Sequence, residues 1–242
     1  MNQRKFKWLS VVFLACLLIG CQSNVQGDGT GSRGFPHNEQ LQSVQAAVDE
    51  FQEQRGVPPI QNFESDTGLY ERYRVDFSQL IPGFMNDAPA SAYENGGDFY
   101  YTLINVEEEP EVRVIPVLVM HEANQFERTV HQYTRTHGYP PLEEMVAPGV
   151  FELDYEALGL DEPPTVQSPY FATNLPIYVD REGRAIIDYA IDLNRLLQEY
   201  DAEPEDEEDI RSILTDEFPV APVYSVPYSI EDGEPNMIGD VN

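Results

Sequence analysis

Two stretches of sequence decide the fold, Gly56-Val57-Pro58-Pro59-Ile60 and Gly138-Tyr139-Pro140-Pro141-Leu142, which lie 82 positions apart. A glycine followed by prolines ends a helix, because glycine adopts the left-handed conformation of a C-terminal cap and proline cannot continue the helical hydrogen bonds. Each stretch therefore predicts the end of a helix and the start of an extended segment. Their recurrence predicts an internal repeat.

Both stretches follow a segment with helical periodicity. The first helix is predicted over residues 39–55, whose apolar residues recur at three- and four-residue spacing and share one face: Leu41, Val44, Ala47, Val48 and Phe51. The second helix is predicted over residues 122–137 in the same way, with Ala123, Phe126, Val130 and Tyr133.

A β-hairpin pattern follows each helix. In the first copy, residues 99–104 and 112–120 are rich in β-formers and flank an acidic turn at residues 107–110. In the second copy, residues 177–179 and 185–189 flank the turn at residues 180–183. The segment between helix and hairpin also repeats, since residues 75–80 align with 153–158 at an offset of 78, where Tyr93 meets Phe171 and Tyr100 meets Tyr178.

A shorter third copy is predicted at the end of the chain. It comprises a helix over residues 193–200, an acidic run at 205–209, and a hairpin around the turn at 231–233. The predicted fold class is α+β: a duplicated helix–loop–β-hairpin unit, in two copies (39–120 and 121–192) and a partial third (193–242). Because units of about 80 residues bury their surface poorly alone, we expect the copies to pack as one compact body. The alternative is that this order of elements recurs by chance.

The N-terminus has the pattern of an export signal. Basic residues Arg4, Lys5 and Lys7 precede the apolar run 8–19, which is shorter than the ~20 residues that a membrane-spanning helix needs. The run ends in Leu18-Ile19-Gly20-Cys21. We predict a signal peptide over residues 1–20, cleaved between Gly20 and Cys21, followed by a glycine-rich flexible tether at 21–38. An ordinary signal peptide with a chance cysteine is the alternative.

The sequence Leu-Ile-Gly-Cys resembles the lipobox of bacterial lipoproteins. The resemblance implies that the Cys21 sulfur receives a diacylglycerol and that the protein is lipid-anchored at the extracytoplasmic face of the cell membrane, where two acyl chains suffice for stable anchoring. The order of signal, tether and acidic α+β body resembles the YphF-like lipoproteins of Bacillus-type Firmicutes. That second resemblance implies a transporter-associated binding protein.

The charge of the predicted mature chain is strongly negative. Both lysines and Arg4 lie in the signal peptide, so 11 of the 14 basic residues remain against 43 acidic ones, a formal charge of −32. Such a surface repels nucleic acid and anionic lipid headgroups, which leaves the lipid on Cys21 as the membrane contact. The acidity fits the binding of cations or a basic partner, or a surface adapted to a salty or alkaline exterior.

Catalytic and cofactor motifs are absent from the sequence. Cys16 lies in the signal peptide and Cys21 carries lipid, so no thiol remains for a disulfide, a zinc cluster or a nucleophile. His121-Glu122 lacks the second histidine of a zincin motif, and Glu127 with His131 supplies only two metal ligands on a shared helix face. We therefore expect no catalytic residue, no metal and no cofactor, and a protein that is not an enzyme.

The leading functional prediction is a non-enzymatic, lipid-anchored cell-envelope protein that binds a protein or a cell-wall component. The alternative is substrate capture for an ABC transporter, which requires a deep cleft between the two repeats lined by Tyr and Arg side chains such as Arg72, Arg74 or Arg113. A hydrolase, as a third possibility, would require a carboxylate or histidine of strongly shifted pKa in a cleft.

Overall fold

The first segment of the body, up to residue 116, consists of a helix followed by a β-hairpin. The computed structural model describes residues 34–65, 67–199 and 209–239. The predicted signal peptide, Gly20, Cys21, most of the tether and most of the acidic run at 205–209 lie outside the described residues. Helix α1 (Asn38–Arg55) buries the five apolar residues that its periodicity predicts, and it ends at Gly56, whose φ is 74° and whose N–H donates to Gln52 O. The predicted helix is confirmed.

Two one-turn helices, α2 (Leu69–Arg72) and α3 (Phe77–Leu80), lead into the antiparallel hairpin of β1 (Phe99–Ile104) and β2 (Glu111–Pro116). The predicted first hairpin is therefore confirmed. Residues 73–75 are extended beside β1, because Val75 N–H donates to Tyr101 O and Leu103 N–H donates to Tyr73 O, both at 2.9 Å.

Helix α4 (Val117–His137) begins earlier than the sequence pattern suggested. The helix was predicted from residue 122, and the return strand was predicted to continue to residue 120; both boundaries are wrong. Strand β2 ends at Pro116, and the helix starts at once because Val119 belongs to the buried stripe that continues through the helix: Val119, Ala123, Phe126 and Val130. The helix ends at Gly138, whose φ is 90°.

The second segment, residues 117–189, comprises helix α4 and a five-stranded sheet. Its strands are β3 (Leu142–Ala147), β4 (Val150–Leu153), β5 (Thr165–Gln167), β6 (Asn174–Val179) and β7 (Ala185–Ile187). The order is β3-β4-β6-β5, and β7 also pairs with β6, all antiparallel. The predicted hairpin of the second copy is confirmed in β6 and β7, whereas β3, β4 and β5 were not predicted.

The third segment, which begins at residue 190, contacts strand β2 of the first hairpin. Helix α5 (Ala190–Glu199) starts before the predicted residue 193, since Asp188 Oδ1 accepts a hydrogen bond from Ala190 N–H at 2.9 Å. Helix α6 (Ser212–Glu217) follows, and the predicted last hairpin is confirmed in β8 (Tyr228–Glu231) and β9 (Glu234–Met237). Between them, residues 219–221 run beside β2, where Val114 N–H donates to Pro219 O at 2.8 Å.

One hydrophobic core joins the three segments. It includes buried residues from α1, β1, α4, β6, α5 and α6: Val48, Leu103, Val130, Ile177, Leu193 and Leu214. A second, smaller cluster of buried residues comprises Ala147, Val150, Ile186 and Val226. The observed class is α+β, as predicted. Of the helices described, none is long and apolar enough to cross a membrane.

Candidate ligand-binding cleft

A cleft of about 520 Å³ opens where the three segments meet. Residues 61–64 and 67–74 of the first segment form one wall. Helix α4 and residues 180–186 form the opposite wall, and residues 224–226 contribute the floor. The volume lies within the ~300–1,000 Å³ range of small-molecule sites. We call it the Arg74 cleft; its lining includes Phe63, Glu71, Arg72, Arg74, Glu127 and Tyr224.

Glu71 connects the first segment to the end of the chain. Helix α2 is one turn long and buries Tyr70 in the core, which leaves the adjacent Glu71 facing the cleft. Its Oε1 accepts a hydrogen bond from Tyr224 N–H at 2.7 Å, across 153 residues of sequence. Burial raises the pKa of the Glu71 carboxyl, and hydrogen bonds from backbone N–H groups oppose that rise.

Glu127 presents a second carboxyl from α4. Its Oε1 accepts a hydrogen bond from Ala185 N–H, at the start of β7, at 2.8 Å. Burial raises the pKa of Glu127, and the hydrogen bond from Ala185 opposes that rise. The neighbouring turn is held by Asp180, whose carboxylate accepts from Glu182 N–H and Arg184 N–H and pairs with the Arg184 side chain.

Tyr224 lies between the two carboxyls. Its φ of 56° is unusual for a residue with a side chain, and it directs the backbone N–H to Glu71. The phenol oxygen accepts a hydrogen bond from Asn124 Nδ2 at 2.8 Å. Burial raises the pKa of Tyr224, and the negative charges of Glu127 and Glu71 raise it further, whereas Arg74 lowers it. One phenol, two carboxyls and one guanidinium therefore interact in the same space.

Arg74 and Arg72 supply positive charge. The Arg74 guanidinium carbon lies 3.9 Å from the centre of the Tyr100 ring, and its Nε is buried with no hydrogen-bond partner among the described residues. Arg72 donates from Nε and Nη2 to Thr67 O at 3.3 and 3.0 Å. Neither arginine forms an ion pair with a described residue, so both guanidinium groups remain able to pair with a ligand.

The structure separates the residues that the sequence grouped as candidates. Arg72 and Arg74 line the cleft, but Arg113 does not: its Nε donates to Thr215 O at 2.9 Å and its Nη2 pairs with Glu111. Glu127 faces the cleft through its contact with Ala185. No group of three potential metal ligands occurs among the residues that the structure describes.

Sequence reasoning missed Glu71, Tyr224 and the role of Glu127. The pattern Leu69-Tyr70-Glu71-Arg72 has one acid and one base and contains no functional motif, and Tyr224 lies in an irregular stretch after Pro222. No spacing rule connects residues that are this far apart in the chain. The one available signal was the predicted cleft between the repeats, which pointed to Arg72 and Arg74 and not to their acidic neighbours.

Residues 37–116 match the model of the YphF family N-terminal domain. The matched region runs from the residue before α1 to the last residue of β2, and it therefore coincides with the first helix-and-hairpin segment. Neither a curated protein nor a solved structure matches the chain.

Proposed function

We propose that the chain, whose residues 37–116 match the YphF family N-terminal domain, is a YphF-like lipoprotein over its whole length. The lipobox-like residues Leu18 to Cys21 support this, because they end 16 residues before the matched domain and leave room for a short tether. The protein is held at the extracytoplasmic face of the cell membrane by a diacylglycerol on Cys21. Its acidic body does not contact the headgroups or nucleic acid.

The body derives from duplication of one helix–loop–hairpin unit. Equivalent backbone hydrogen bonds after the two helices support this: Ile60 N–H to Pro58 O at 3.0 Å and Leu142 N–H to Pro140 O at 2.9 Å; Asp76 N–H to Pro59 O at 2.8 Å and Asp154 N–H to Pro141 O at 2.9 Å. The same residue types thus make the same turns in both copies.

A side chain on each helix supports the duplication further. Gln45 of α1 and Glu127 of α4 lie 82 positions apart, the offset of the Gly-x-Pro-Pro stretches. Gln45 Oε1 accepts from Val112 N–H at 2.7 Å, and Glu127 Oε1 accepts from Ala185 N–H at 2.8 Å, so each fastens its helix to the return strand of its hairpin. Gln45 also donates to Pro110 O at 2.8 Å, whereas a carboxylate has no such donor. The second copy therefore has an additional acceptor at this position.

The function that this geometry supports best is non-enzymatic binding of an envelope ligand in the Arg74 cleft. The observation that carries it is the cleft itself, which lies between the two copies and contains both arginine and carboxyl groups. A cell-wall component can enter it, and so can a solute passed on to an ABC transporter. The cleft volume of about 520 Å³ suits a small solute, which favours the second of these ligands.

Binding is a better proposal than catalysis. Raised pKa values in a cleft are the feature that a hydrolase would require. However, Glu71 and Glu127 each accept a hydrogen bond from a backbone N–H that joins two segments of the fold. Both carboxyls thus hold the cleft together, and neither contacts a nucleophilic side chain among the hydrogen bonds of the described residues.

A protein partner is the second candidate, because β3 offers an open strand. This edge strand exposes both faces over residues 143–146, and Met145 is 56% exposed. An exposed apolar strand edge is a template for pairing with another chain.

Two measurements on intact cells test the proposal. Mass spectrometry of the membrane fraction is expected to find a diacylglycerol on Cys21, and Cys21→Ala is expected to leave the chain uncleaved. A photo-crosslinking amino acid at Phe63, which lines the cleft, is expected to capture the ligand, whereas the same probe at Val57, which is exposed outside the cleft, captures none. An unmodified Cys21 would overturn the anchoring, and equal products from both positions would overturn binding in the cleft.

A further inference from the structure

We propose that the Arg74 cleft binds a free amino acid or short peptide as a zwitterion, with its ammonium group against Glu71 and Glu127 and its carboxylate against Arg74. The inference deepens the proposed function and depends on ligand binding in the cleft, but it does not depend on the lipid at Cys21. The cleft residues retain hydrogen-bond donors and acceptors that their contacts within the fold do not use.

The two carboxyls of the cleft have hydrogen-bond acceptors that other residues do not use. A carboxylate offers about four lone-pair directions. The hydrogen bonds from other residues to Glu71 and Glu127 both go to Oε1, from Tyr224 N–H and Ala185 N–H. An ammonium group carries three donors, which fits two carboxyls that face one space.

Tyr224 completes this side of the cleft. Its phenol oxygen accepts from Asn124 Nδ2, so the hydroxyl proton is directed elsewhere. The phenol interacts with the charges of both carboxyls and of Arg74. It lines the same cleft as Glu71, Glu127 and Arg74 and can donate to the ligand.

The Arg74 guanidinium has an N–H donor that no described residue accepts. The Arg74 guanidinium carbon lies 3.9 Å from the centre of the Tyr100 ring, and Arg74 also forms a side-chain hydrogen bond with Tyr100. These contacts use only part of the five N–H donors of a guanidinium. The Nε of Arg74 is buried without a partner among the described residues, which is costly unless a ligand or water accepts from it. A carboxylate matches the planar guanidinium with two parallel hydrogen bonds.

A ligand of one sign fits this cleft less well than a zwitterion. A simple cation would leave Arg74 unpaired, and a simple anion would have to approach two carboxyls as well as a body of formal charge −32. Unpaired charges in a partly desolvated site cost free energy, whereas a zwitterion pairs both signs at once. Met120, Ile186 and Val226 supply apolar lining for the ligand side chain.

The test uses the full chain purified in detergent. L-alanine, di-L-alanine, tri-L-alanine and a mixture of the common amino acids are titrated by calorimetry, beside the N-acetylated and C-amidated forms of each alanine ligand. We expect at least one zwitterion to bind and each blocked form to bind at least ~10-fold more weakly, because each loses one charge–charge contact.

Variants assign the contacts. Arg74→Gln and Glu127→Gln are each expected to weaken binding at least ~10-fold. Glutamine at position 127 still accepts from Ala185 N–H, so an unchanged melting temperature without ligand will show that the variant is folded. The matched controls are Arg128→Gln and Glu53→Gln, which change exposed residues outside the cleft and are expected to bind as the wild type does.

Three results would overturn the inference: no binding of any zwitterion, equal binding of blocked and unblocked forms, or equal loss in the control variants. If the panel fails while the probe at Phe63 still captures a ligand on cells, the zwitterion is wrong and the proposed function stands. If the panel and the probe at Phe63 both fail, the zwitterion and the proposed ligand binding in the cleft are both wrong.

Discussion

Ser168 Oγ donates a hydrogen bond to Asp192 Oδ2 at 2.7 Å, and Asp192 is completely buried. The same hydroxyl accepts from the N–H groups of Tyr170 and Phe171 at 3.0 and 3.1 Å. This network joins α5 to the loop before β6 and positions the two aromatic residues in the core. Burial raises the pKa of Asp192 to about 6, although hydrogen bonds from Ser168 and Thr173 lower it in part.

Because the pKa of Asp192 is raised in the folded state, the free energy of unfolding falls as pH rises through about 6. An acid whose pKa is higher in the folded state than in the unfolded state binds its proton more tightly when folded, so its contribution is present at low pH and is lost as pH rises through about 6. Between pH 4.5 and 7.5 we expect wild type to lose about 2 kcal/mol of free energy of unfolding relative to Asp192→Asn. Urea unfolding of both proteins at the two pH values measures this difference.

The matched control is Asp87→Asn, which changes an exposed aspartate. This variant is expected to follow the pH dependence of the wild type. A constant difference between wild type and Asp192→Asn across the pH range would contradict the assignment to Asp192.

Gln45 gives a test of the contact that fastens α1 to β2. Replacement by alanine removes the acceptor of Val112 N–H and the donor to Pro110 O. Loss of the partner of a part-buried backbone group costs ~1–3 kcal/mol. Gln45→Ala is therefore expected to lower the free energy of unfolding by about that amount in urea, whereas Gln42→Ala on the exposed face changes it by less than ~0.5 kcal/mol.

Replacement of Gln45 by glutamate separates its acceptor contact with Val112 from its donor contacts with Pro110 O and Asp49 Oδ1. Gln45→Glu keeps the acceptor for Val112 and reproduces the residue type found at position 127 in the second segment. We expect it to retain more stability than Gln45→Ala. Because Gln45→Glu also places a negative charge four residues before Asp49, the variants are compared at high salt, which screens that repulsion. Equal losses under that condition would show that the acceptor is not what holds the helix to the strand.

Local chemistry predicted the helix ends and the hairpins. Gly56 and Gly138 end their helices with positive φ, as the glycine–proline stretches indicate, and the turns at residues 107–110, 180–183 and 231–233 connect paired strands. These features depend on residues that are close in sequence, where turn and cap preferences act directly. For the same reason the third hairpin was predictable although its helix was mislocated by three residues.

Tertiary contacts decided what the sequence did not predict. The hydrogen bond between Tyr224 and Glu71 spans 153 residues, and no periodicity or spacing encodes it. Strand β3 exposes most of its residues, so it lacks the alternation by which a half-buried strand is recognised. The start of α4 was missed because Val117 to Met120 are apolar residues that suit a buried strand as well as a helix.

Gly97 tests the turn that precedes β1. A Cβ at this position would collide with the backbone carbon and oxygen of Ser91, and backbone atoms cannot move aside as a flexible side chain can. Gly97→Ala is expected to lower the free energy of unfolding by ~1–3 kcal/mol, as overpacking does elsewhere. The control Gly83→Ala adds the same methyl where nothing lies within 4 Å, and its stability should match or exceed that of wild type. Equal unfolding midpoints for the two variants would contradict the collision.

Arg211 holds the last segment in place beneath the cleft. Its guanidinium donates to both Asp209 oxygens and to the backbone and side-chain oxygens of Ser225, and the residue is 4% exposed. Because lysine cannot reproduce this planar set of donors, Arg211→Lys is expected to destabilise the protein despite keeping the charge. Arg211→Ala leaves Asp209 unpaired and is expected to cost ~3–5 kcal/mol.

The control for charge retention is Arg128→Lys on the exposed face of α4, which should change the free energy of unfolding by less than ~0.5 kcal/mol.

Since Ser225 follows Tyr224, the loss of Arg211 should also loosen the floor of the cleft. Hydrogen exchange is therefore expected to rise at residues 224–226 in Arg211→Lys before it rises in the core strands. Uniform exchange across the protein would show that Arg211 stabilises the whole fold and not this segment.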